Sequence, residues 1–247
     1  MALGDRGLFF TITAILLAGF AIITLMAVTK QDTNGHAVQT RILTLDHFLS
    51  DTKKDFDRAL NIGSFRTILG LEDYMIEKGV FLDDINGAFS AALMNATYNG
   101  ESLGIVENAT LTAWRNRIEA QAASIGLTLN IELESITLEQ VSPWDLKVTA
   151  DAHLTLSDTS GLASFEDDHT GSTIVSIVGF EDPVYLLNSY GRVTNVINQT
   201  PYENFIVGNS TANLLNHISQ GYYLAHNDSP SFLMRLQGIL NSSPYGI

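Results

Sequence analysis

The stretch from Leu8 to Thr29 constrains this chain more than any other. It holds 22 residues without a charged side chain, bounded by Arg6 and Lys30. Wound into a helix at ~1.5 Å per residue it reaches ~30 Å, the depth of a bilayer's hydrocarbon. The run predicts a hydrophobic membrane or assembly helix at residues 8–29, with membrane lipid as its partner. A secretory leader would show an apolar region of ~7 to 15 residues closed by small residues at an exit site. No Ala-x-Ala follows this run, so the helix is expected to be retained.

Charge limits what lies beyond it. The 247 residues carry 13 basic and 27 acidic groups, a net charge of −14, and the acidic excess falls downstream of the run. Nucleic acid needs a basic face to meet its phosphates and is excluded as a partner. An acidic exterior suits a solvated surface outside the cell. The acceptor pattern Asn-x-Ser/Thr at Asn95, Asn108, Asn198, Asn209, Asn227 and Asn241 agrees with that side of the membrane and makes these six the glycosylation candidates. There is no cysteine, which removes disulfides and thiolate metal sites.

From Gln31 the pattern turns amphipathic. Val38, Ile42, Leu45, Leu49, Phe56 and Leu60 share one helical face, which predicts a stalk helix over residues 30–60, with a turn signal at Asn34-Gly35. Residues 61–247 are expected to form an α+β domain. Separate helices are predicted around Phe65 to Met75, over Phe81 to Met94, and over Leu111 to Ile125, the last capped by Thr110 and ended by Gly126. Beyond Gly126 the period drops to two. Leu127, Leu129, Ile131 and Leu133 alternate, then Ile136 and Leu138 resume one residue out of step, as a bulge near Glu134-Ser135 would allow. Leu146 to Leu156 form a second strand joined to the first near Pro143, and Thr173 to Val178 a third. The segment GLASFEDDHTG between them reads as a polar connection. C-terminal helices are expected around Leu214 to Tyr222 and Phe232 to Leu240.

The leader gives a more specific lead. Arg6-Gly7 followed by Leu8-Phe9-Phe10-Thr11 resembles the class III signal of type IV pilins and archaeal pilin-like proteins. The resemblance implies cleavage between Gly7 and Leu8 by a prepilin-type peptidase, which would separate a leader at residues 1–7 from the apolar helix. Bacterial members carry Glu at the fifth mature position, where this chain has Ile12; archaeal members commonly lack it. Gly179 to Tyr185, placed after a long hairpin, is similar to segments of archaeal membrane-anchored, pilin-like surface proteins.

Chemistry is sparse. None of the six histidines pairs with another at i+3 or i+4, no His-Glu-x-x-His occurs, and Glu166-Asp167-Asp168-His169 reads as a solvated acidic run. Asp83 to Gly87 lacks the alternating oxygen ligands of a calcium loop. No nucleophile elbow, phosphate loop or dinucleotide fingerprint is present. No catalytic residue, metal site or cofactor is expected. The sequence points to a structural subunit of a pilus-like filament or cell-surface assembly, homo-oligomeric through its N-terminal helix; the alternative is a monomeric, membrane-anchored binding or sensor domain outside the cell.

Overall fold

The computed structural model describes the backbone of residues 4–247 and the side chains of residues 15–26 and 38–247. Its frame is one continuous helix, α1 (Gly4–Lys78), followed by α2 (Ile85–Asn95), the short strands β1 (Thr97–Tyr98) and β2 (Glu101–Ser102), a 3-10 turn at Glu107–Ala109, and α3 (Leu111–Ser124). The main sheet then forms from β3 (Leu127–Gln140), β4 (Asp145–Asp158) and β5 (Ser164–Ser176). The short helices α4 (Pro183–Asn188), α5 (Ala212–Gln220) and α6 (Phe232–Leu236) complete the order.

The expected fold needs correction at its N-terminal end. Among the described residues no helix is long and apolar enough to cross a membrane, so the predicted long hydrophobic N-terminal helix is not what the structure presents. The apolar residues with described side chains, 15–26, supply ~18 Å of rise, where a span takes ~20 apolar residues. They belong to a helix that is mixed along its length and runs on into an amphipathic body. The stalk and the helix predicted around Phe65 to Met75 are parts of this same α1, and the turn signal at Asn34-Gly35 does not break it. Tertiary packing explains the continuity further along. At Gly63 an added Cβ would meet the Ala109 carbonyl oxygen and Leu93 Cδ1, each at 2.7 Å, so the glycine lets α1 press against the 3-10 turn and α2. That close approach overrides a glycine's helix cost of ~1 kcal/mol. The helix ends at Gly79, φ +67, whose N–H donates to the Met75 carbonyl at 2.8 Å.

Asn99 (φ 50) and Gly100 (φ 80) form the two-residue turn of the β1–β2 hairpin, the conformation that Asn-Gly tolerates best. Thr110 caps α3, its hydroxyl accepting from the Ala113 N–H at 3.0 Å. The main sheet is an antiparallel meander in the order β3-β4-β5. Pairing shifts between Leu133 and Ser135, at the bulge that the change of step predicts. On β4, Leu146, Val148, Ala150, Ala152, Leu154 and Leu156 all point into the core. α1 and α3 cover that face, with Phe56 and Trp114 in ring contact at 5.2 Å and the Trp114 indole N–H donating to Asp55 at 2.9 Å. The other face is open to solvent, as suits a one-sided antiparallel sheet.

β5 differs from expectation by nine residues. The polar segment that reads as a connection is mostly strand: Ser164 to Thr170 pair with β4 in unbroken register. Its inward positions escape the apolar pattern because α1 neutralises them. Lys53 pairs with Asp167, Asp57 with His169 at 3.2 Å, and Asn61 donates to Thr173 at 2.6 Å. At Gly171 the helix comes so close that a Cβ would lie 2.7 Å from Phe56. The free edge of β3 is closed by side chains: Ile131 N–H donates to Glu119 at 3.1 Å and Leu138 N–H to Asn86 at 3.2 Å.

Candidate assembly surface

Among the described residues the first core side chain on α1 is Leu45, fully buried; nineteen residues earlier, ~28 Å along the helix, lies Met26. From Ile15 to Met26 the large apolar side chains project away from any core. Ile15, Leu16, Leu17, Phe20, Ile22, Ile23, Leu25 and Met26 are 55 to 70% exposed. The hydroxyl of Thr24 is satisfied within the helix, donating to the carbonyls of Phe20 (3.0 Å) and Ala21 (2.9 Å). The segment therefore offers a nearly pure apolar surface with no polar group demanding water. Contiguous apolar exposure of this kind is characteristic of protein–protein and membrane contact surfaces.

The solvent face of the sheet offers a second surface, of opposite character. His153 lies with Nδ1 2.6 Å from Asp168 and Nε2 3.4 Å from Glu166, and Glu132 stands opposite it on β3. The hydrogen bond to Asp168 raises the His153 pKa above the usual imidazole value. Asp151 accepts from Ser135 and Thr170, each at 2.6 Å, which lowers its pKa. These groups satisfy one another, and among the described residues no three His, Cys, Asp or Glu side chains are arranged to hold a metal.

Two buried features were not singled out by the sequence. Asp182, completely buried, caps α4 by accepting from the Val184 N–H at 2.9 Å. It also accepts from Arg235 Nη1 at 2.6 Å and from the Tyr223 hydroxyl at 2.8 Å. Arg235 Nη2 reaches the Ile247 carbonyl and the guanidinium lies 5.8 Å from the Tyr223 ring centre. Burial together with the Asp182 charge pushes the Tyr223 pKa up. This network ties α4, α6 and the chain around Tyr223 into one unit. Asp182 followed by Pro183 at the first helical turn is a legible start signal; its ionic partner is 53 residues away. The second feature is Glu72 on α1, 5% exposed, with Oε1 lacking a partner. Burial first, then Glu181, Asp73 and Asp182, raise its pKa to about 9.

The predicted processing residues Gly7 and Leu8 lie outside the residues whose side chains are described. Asn95, Asn108, Asn198, Asn209, Asn227 and Asn241 are all exposed, on separate parts of the surface, and Asn95 accepts from Thr112 at 3.3 Å. Trp114 and Phe180 lie in the core, and Tyr185 is 47% exposed. No protein-family model, no curated protein and no solved structure matches the chain.

Proposed function

We propose that the protein is a structural subunit of a pilin-like assembly at the cell surface, held to neighbouring copies through the exposed apolar segment of α1. The observation that carries this reading is the segment itself: eight large apolar side chains, more than half exposed, in a chain of net charge −14. Apolar surface gains ~25 cal/mol for each Å² removed from water, so a helix so exposed is strongly favoured to be covered. The pair Arg6-Gly7 before the uncharged run agrees with a subunit that a prepilin-type peptidase releases for assembly. The body beyond Leu45 then stands at the outer surface and presents the acidic sheet face to solvent.

The test is the assembly state of the full chain. Sedimentation should give species well above the 26.9 kDa of one chain, and Phe20→Glu with Ile23→Glu should return it to single chains with unchanged helical circular dichroism. A wild-type chain that sediments alone under every condition would instead favour a monomeric binding or sensor domain. Mass spectrometry of the mature N-terminus tests the pilin-like element separately: a start at Leu8 supports it, and an intact leader in cells containing a prepilin-type peptidase removes it.

A further inference from the structure

Between Arg192 and Asp228 lie 35 residues with one charged side chain, Glu203, in a chain that carries 13 basic and 27 acidic groups. Interface cores are depleted of charge and rich in Tyr in this way. The stretch contains α5, a helix with no buried residue. Its Leu215 and Ile218, three residues apart on one face, are 63% and 65% exposed, and Ile206 and Val207 beside the helix are each 60% exposed. The orientation is fixed from elsewhere on the helix. Leu214 N–H donates to the Phe205 carbonyl at 3.2 Å, Asn216 donates to the Tyr202 hydroxyl, and His217 packs edge-on against Phe205 at 4.8 Å. A cleft of about 300 Å³ opens next to it, bordered by Tyr185, His217, Ile218, Tyr222 and Leu224.

We infer that this face of α5 is the docking surface for the apolar segment, residues 15–26, of a second copy's α1. The inference rests on the assembly reading above and names the interface. Electrostatics select the occupant. Two copies of net charge −14 repel one another across most of their surfaces, and like-charge contacts are costly. The uncharged α1 segment and the uncharged α5 face meet without that cost, and the cleft beside α5 gives the segment's side chains a recess to enter. Both are exposed in the same chain, so neither covers the other intramolecularly. Two different patches joined between copies can extend head-to-tail, as a ring where the rotation closes and as an open chain where it does not.

The absence of native cysteine makes the test direct. A full chain carrying both Phe20→Cys and Ile218→Cys, oxidised with copper-phenanthroline, should give a ladder of cross-linked species. Mixing the two single variants should give a two-chain product that neither forms alone. Adding Leu215→Glu to the double variant should remove the ladder while leaving its thermal melt within a few degrees, since the side chain is exposed. Self-linked dimers of the Phe20→Cys chain with no 20-to-218 product would overturn this interface and leave the assembly reading standing. Single chains by sedimentation with no cross-link would overturn both.

Discussion

Ionisation of Glu72 opposes the fold. Its pKa stands at about 9 in the folded chain against an ordinary carboxylate value of 4.5. The folded state therefore holds a proton that the unfolded state has lost, and stability falls as pH rises from about 4.5 to about 9, by roughly 1.4 kcal/mol per pH unit. Glu72→Gln keeps the shape and removes the titration. It should flatten that slope and raise the melting temperature at pH 8, with little change at pH 4; equal slopes for the two chains would remove Glu72 as the cause. The opposite sign applies to Asp158. Ser160 and then Arg41, 2.6 Å away, hold its pKa below the usual range, so its contribution is present above ~4 and is lost as the pH falls through the lowered value. Nothing in the local sequence distinguishes these two carboxyls. Glu72 sits among Leu71, Asp73 and Tyr74 on a helix, and burial first, then the charges of Glu181, Asp73 and Asp182, make its ionisation costly.

At the scale of elements, the contact between α1 and β5 decides how the helix sits on the sheet. Lys53, Asp57 and Asn61, four residues apart on α1, meet Asp167, His169 and Thr173 on β5, while Phe56 lies over Gly171. Gly171→Ala places a methyl group 2.7 Å from Phe56 and 2.8 Å from Asp57, against two elements that are both fixed. Overpacking of this kind costs ~1 to 3 kcal/mol, which denaturant melts should read as a lower midpoint with unchanged slope. An unchanged midpoint would show that α1 can lift off the strand at no cost. The same contact explains which elements were legible beforehand. β3 and β4 alternate apolar and polar residues because their inner face meets an apolar core, and even the bulge at Ser135 shows as a change of step. The first half of β5 does not alternate, because its inward Asp167 and His169 are matched by charges 112 to 114 residues away. Helix α3 carries its own caps and could be bounded from sequence; α1 could not, because Asn34-Gly35 reads as a turn and the neighbours that Gly63 admits, Leu93 and Ala109, are distant in sequence.

For the whole molecule the balance lies between an apolar end and an acidic body. A net charge of −14 opposes association, and salt screens that repulsion with a range of ~10 Å at 0.1 M. The proposed assembly of the full chain should therefore strengthen between 10 and 300 mM sodium chloride, seen as increasing mass by light scattering. Weakening over the same range would point to an interface made of ion pairs. Sequence alone carries the uncharged run at residues 8–29, the Arg6-Gly7 pair before it, the acidic surplus, the α+β class of the body and the meander with its bulge. Each is a local or compositional property, set by periodicity, charge count or a short motif. Packing between distant parts of the chain sets the rest: α1 runs unbroken to Lys78, the acidic run from Glu166 to His169 is a strand, Asp182 and Arg235 meet, and α5 turns its apolar face outward. These depend on partners distant in sequence, whose charge, shape and closeness replace the local pattern as the determining interaction.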